Sequence, residues 1–151
     1  IGPNNVVETD MINTNKITGS MDIAPSVYRG FTTRLSFVGL YASGAATTFT
    51  IRFKVNGTTI LTSVIPAGVV VNQYYKINYV MSINENSNSR IIISSEIQRA
   101  GATPIIDATL NDVVWVSAAT NTISVTGQFS DNNGTWANTQ FDMWSGAPQN
   151  F

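Results

Sequence analysis

The side chains left to do chemistry in this chain are carboxylates, amides and hydroxyls, because histidine and cysteine are both absent. Without them no Ser-His-Asp or Cys-His nucleophile can be assembled, and the usual zinc ligand sets are missing. No glycine-rich phosphate loop or dinucleotide fingerprint occurs. Carboxylate chemistry remains: a glycosidase needs two acids flanking the scissile bond, roughly 5–9.5 Å apart. The chain has nine acids, none in a recognisable pair motif. Asp142, between Phe141 and Met143, is the first to inspect, although strand alternation alone would set it on a solvent side. These residues point to a protein that is not an enzyme, with no catalytic group, cofactor or metal to assign.

Binding chemistry has more candidates. Asp131-Asn132-Asn133-Gly134 resembles the start of a calcium loop but lacks the further oxygen ligands and their spacing. Asn, Asp and Gly dominate turns by themselves, so a turn is expected there. Asn56-Gly57-Thr58 and Asn133-Gly134-Thr135 match the N-glycosylation pattern, and turn chemistry explains both. Trp136 follows the second turn directly. Exposed at a loop tip, its ring would stack on a sugar while Asn132 and Asn133 held hydroxyls. Tyr74 and Tyr75, after Asn72, form a second such spot. The competing reading is that these rings cap the core, since a large aromatic gains most by burial. The candidate ligand-binding residues are therefore Trp136, Asn132, Asn133, Tyr74, Tyr75 and Asp142.

The elements that must carry these residues are strands. Isoleucine and valine together number 30, against four leucines. Branching at Cβ suits a pleated sheet and costs something in a helix. Thr48–Val55 alternates strictly, with Phe49, Ile51, Phe53 and Val55 on one side of Thr50, Arg52 and Lys54. Asn56-Gly57 is the dipeptide that best accepts a type I′ turn, and 58–64 returns as the hairpin partner. Further strands are expected over 16–22 (weakly), 30–40, 74–84, 90–98, 113–117, 122–129 and 135–144, with turns at 43–45, 66–68, around Gly101 and Pro104, and at 131–134. The expectation is an all-β sandwich of about eight to nine antiparallel strands. One domain over 13–151 follows a linker or arm over 1–12, and Ile1 in place of Met points to a piece of a longer chain.

Ser, Thr and Asn make 48 of the 151 residues, while only 11% are charged. An average soluble domain carries about 25% charge. A hydroxyl-and-amide surface is cheap to dehydrate, and charge depletion marks the cores of interfaces. Some segments are apolar on both faces, which calls for a cover from a loop or another subunit. Val113, Trp115, Ile92 and Val80 are the candidate oligomer interface. The net charge is −1 with basic residues spread singly, so nucleic acid is not an expected partner. No apolar run approaches the roughly 20 residues of a membrane span.

The hairpin from Phe49 to Ile60, followed by Tyr75-Lys-Ile-Asn-Tyr79 and Arg90-Ile-Ile-Ile-Ser-Ser95, resembles the jelly-roll heads of bacteriophage tail fibres and tail needles. The likeness runs over roughly residues 30–99 and is one of cadence. It implies a tumour-necrosis-factor-like (TNF-like) jelly roll and a homotrimer on the virion. It also implies contact with a host-surface glycan, lipid or protein during attachment or penetration. Two other classes fit the same residues: a monomeric carbohydrate-binding module, and a purely structural virion domain such as a decoration or collar protein.

Overall fold

A computed structural model of the chain describes residues 8–11, 21–23, 32–84, 90–111 and 121–146. Its described elements are all strands. Two are short, β1 (Thr9–Asp10) and β2 (Met21–Ile23). Eight are longer: β3 (Thr32–Ser43), β4 (Phe49–Val55), β5 (Thr58–Ile65), β6 (Val70–Asn84), β7 (Arg90–Arg99), β8 (Ile105–Asn111), β9 (Asn121–Phe129) and β10 (Thr135–Gly146). They pair antiparallel in two sheets. Sheet I runs β1-β9-β4-β5, with β2 also on β9, and sheet II runs β10-β3-β6-β7-β8.

The fold is the all-β sandwich that the Cβ-branched composition anticipates. β3 pairs β10 while β4 pairs β9, the nested pairing of a hairpin folded over both sheets. The β6-β7-β8 meander at the edge of sheet II departs from an eight-strand jelly roll of two Greek keys. The expected strand at 113–117 lies outside the described residues, as do residues 16–20 of the strand expected over 16–22.

The β4–β5 hairpin turns as its dipeptide requires, with φ of 49° at Asn56 and 78° at Gly57, the left-handed pair of a type I′ turn. β8 is an element the residues concealed. Ile105-Ile106-Asp107-Ala108 has no apolar alternation, and Asp and Ala are poor strand formers. Pairing to β7, from Ile97↔Ile105 to Ile91↔Asn111, forms it instead.

Three bulges set which side chains face inward. At each, one extra residue flips the side-chain alternation. On β10 the register slips between Asn138 and Gln140, so Trp136 points inward before the slip and Phe141 after it. On β6 the slip opposite Tyr41 and Ser43 accompanies Asn72 at φ 44°, a left-handed conformation that Asn tolerates. On β5 it lies opposite Phe53/Lys54 and lets Ile60 and Leu61 both be buried.

The core between the sheets holds an aromatic cluster. Phe49 and Phe129 stack at 4.4 Å, Phe49 and Trp136 at 5.8 Å, and Tyr41 meets Tyr75 edge-on at 4.9 Å. Burying each ring contributes about 1.5–3 kcal/mol. Two glycines make room for it. A Cβ on Gly39 would lie 2.2 Å from the Trp136 ring, and one on Gly134 would lie 2.1 Å from Phe129.

Glu8 to Met11, assigned by sequence to a linker or arm, belong to the sandwich. Met11 is fully buried. Its N–H donates to the Val125 carbonyl at 2.7 Å, and Asn138 Nδ2 donates to its carbonyl at 2.6 Å.

Candidate functional site

The outer face of sheet II carries a groove, and strand register explains its composition. Asp142 lies opposite Ser36, Ser36 opposite Asn78, and Asn78 opposite Glu96. This places four polar side chains in one row across β10, β3, β6 and β7. Arg34 and Val80 are neighbours in the next row, while Lys76 lies opposite Val38 on the other side. A cavity of about 480 Å³ is lined by these polar residues together with Leu35, Val80 and Met143.

The β10 bulge is the local reason that Asp142 belongs to this row. Without the extra residue at Thr139, the alternation begun at Trp136 would turn Asp142 toward the core. Thr139 Oγ1 bonds the Val38 carbonyl at 3.0 Å beside the slip. Ser36 Oγ donates to Asn78 Oδ1 at 3.0 Å, and Gln140 Nε2 donates to Asp142 Oδ2 at 2.5 Å. Among the described residues, Asp142, Glu96 and Lys76 form no ion pair. The row thus offers two carboxylates and an amide, with the Lys76 ammonium beside it, and neither carboxylate is neutralised by an ion pair among the described residues. Asp142 and Glu96 stand three strand spacings apart, roughly 14 Å between Cα positions, so the pair is better placed to grip a ligand at two points than to flank one bond.

The structure sorts the expected site residues into three groups. Asp142 and Tyr74 share the outer face of sheet II with Val80 and Ile92. Tyr74 is exposed at 63% and sits four residues along β6 from Asn78, roughly 13 Å. Asn132 and Asn133 are exposed in the β9–β10 turn, away from the row. Asp131 Oδ1 accepts from the Asn133 N–H and from Thr47 Oγ1, each at 2.8 Å. These bonds hold the Asp131 carboxyl below its ordinary range and close the loop as a turn. Among the described residues no group of three or more acids is placed to hold a metal ion.

Trp136 and Tyr75 are corrections. Trp136 is 1% exposed and Tyr75 5%, so neither ring can stack on a sugar. Trp136 fills the space over Gly39 and donates its indole N–H to Asn138. Tyr75 turns inward because the Asn72 bulge sends Tyr74 outward. Val113 and Trp115 lie outside the described residues. Val80 is half-buried in the groove and Ile92 is exposed near one end of the face.

Sequence reasoning missed Ser36, Asn78, Glu96, Arg34 and Lys76. Their common face was visible in the even spacing 76, 78, 80 on β6. Their common row needs inter-strand register, which a single strand's alternation does not contain.

No protein-family model matches this chain, and no curated protein matches it at a significant level. Among the described residues no helix is long and apolar enough to cross a membrane.

Proposed function

We propose that this chain is a binding domain that attaches a larger assembly to a glycan-bearing surface through the outer face of sheet II. The observation that carries this reading is the in-register row Asp142–Ser36–Asn78–Glu96. Sugar hydroxyls both donate and accept, and carboxylates, amides and cations answer both needs. Tyr74 adds an exposed ring on the same face, suited to stacking on a pyranose. The face belongs to a sheet whose strands are paired on both sides at β3 and β6, which suits pre-organised recognition. An attachment knob of the kind that ends phage tail fibres and needles is the form this role takes, with three copies acting together. The low charge and the exposure of Ile92 and Ile106 support contact between copies.

A glycan array probed with the protein and with its Asn78→Ala and Tyr74→Ala variants tests the reading. Binding that both variants weaken supports it. A full array without response, or binding indifferent to both variants, removes it. Light scattering tests the assembly separately: a monodisperse monomer at micromolar concentration discards the trimer and leaves the carbohydrate-binding module.

A further inference from the structure

A second cavity opens at the mouth between the two sheets, where the loop after β5 faces the turn before β8. Its volume is about 300 Å³, at the small end of ligand pockets. Ile65 comes from sheet I, and Ile97 and Ile105 from sheet II, so the inner wall is aliphatic. Val69, 70% exposed, stands in the loop at the rim. One cation, Arg99, reaches this wall. Its Nη1 donates to the Tyr75 hydroxyl at 3.2 Å, and its Cζ lies 5.8 Å from the centre of that ring.

Among the described residues Arg99 meets no carboxylate. A guanidinium has five N–H donors in a planar fork, and Tyr75 engages one edge of it. The rest is available beside the apolar surface of Tyr75 and the isoleucines. Attraction between a cation and an anion is stronger there than in open water. An apolar wall beside an unpaired fork matches one ligand chemistry: an aliphatic tail ending in an oxyanion, which the fork can hold by two parallel bonds.

We infer that this cavity is a binding site for a small aliphatic anion, its tail against Ile65, Ile97 and Ile105 and its head on Arg99. The site is separate from the sheet II groove, because Arg99 and Tyr75 face between the sheets while Lys76 and Gln98 beside them face outward.

Calorimetric titration of the whole chain with hexanoate, hexyl phosphate and hexanol tests this. The expected result is saturable binding of one or both anions, with hexanol at least about tenfold weaker, as loss of a charge-assisted bond implies. Arg99→Gln should weaken the anions by about tenfold and leave hexanol unchanged. Ala102→Phe, which fills the cavity from its surface turn, should abolish binding of all three without lowering the melting temperature. A preference for hexanoate over hexyl phosphate marks a carboxylate site, and the reverse marks a phosphate or lipid-head site. Hexanol binding as tightly as the anions, anion affinity unchanged in Arg99→Gln, or no heat with any probe overturns the inference.

Discussion

The outer faces of the two sheets are built from the same alternation and put their charges to different use. On sheet I, Glu8 bridges Lys54 at 2.5 Å and Arg52 at 3.8 Å, and bonds the Thr126 hydroxyl. Arg52 also donates to Gln128 at 3.0 Å. The charges there are spent on one another and fasten β1 across β9 and β4. On sheet II, Asp142, Glu96 and Lys76 sit in or beside one row without closing into pairs among the described residues. A face whose charges are satisfied internally serves the fold. A face whose charges stay open is available to a ligand, and it can stay open because the core holds its strands in place.

That dependence on the core gives the largest expected effect. Trp136→Ala removes the ring that stacks on Phe49 and fills the space over Gly39. It should cost about 3–5 kcal/mol, read by chemical denaturation, and should disturb both faces together. Gly134→Ala presses a methyl against Phe129 and should cost about 1–3 kcal/mol.

The groove should behave in the opposite way. Combining Asp142→Asn with Lys76→Gln should leave stability within about 0.5 kcal/mol while weakening glycan binding by about tenfold or more. A matching loss of stability would make this face structural, like the other one.

Glu8→Gln should do the reverse, costing about 0.5 kcal/mol of stability because the pairs are partly exposed, with binding unchanged. Burial raises the Glu8 carboxyl, but Lys54, Thr126 and Arg52 outweigh it and hold the group below its ordinary value of 4.5. The group is therefore depressed in the folded state. Its contribution is complete above that ordinary value and disappears as pH falls through the lowered folded one. Denaturation at neutral pH and at pH near 3 checks this: the gap between wild type and Glu8→Gln should close in acid.

Tyr79→Phe should be the one core substitution that costs no stability. The Tyr79 hydroxyl is buried without a hydrogen-bond partner, while nearby Ser63 and Ser95 bond each other at 2.6 Å. Burial, with Asp107 nearby, pushes the phenol far above its usual range. Removing an orphaned hydroxyl should leave stability unchanged or raise it by up to about 1 kcal/mol.

What the residues foretold and what they concealed divide along one physical line. Alternation within a strand is local, so Phe49–Val55, its Asn56-Gly57 turn and 122–129 could be read directly. Bulges and register belong to two strands at once. A reader of Tyr74-Tyr75 sees two equal rings, and only the Asn72 bulge decides that the first faces water. Trp136 beside a turn looks exposed until Gly39, 97 residues earlier, is seen to leave its space. Asp142 was legible as a solvent-side acid, but Ser36, Asn78 and Glu96 join it through three separate strand pairings.

Nuclear magnetic resonance mapping of an oligosaccharide found on the array bears most directly on the claim that the open face of sheet II is the binding surface. The account predicts chemical-shift changes concentrated at Ser36, Asn78, Glu96, Asp142 and Tyr74, with Glu8, Arg52 and Lys54 unmoved. Changes centred on the Glu8 cluster, or on the 131–134 turn with the groove silent, would contradict it.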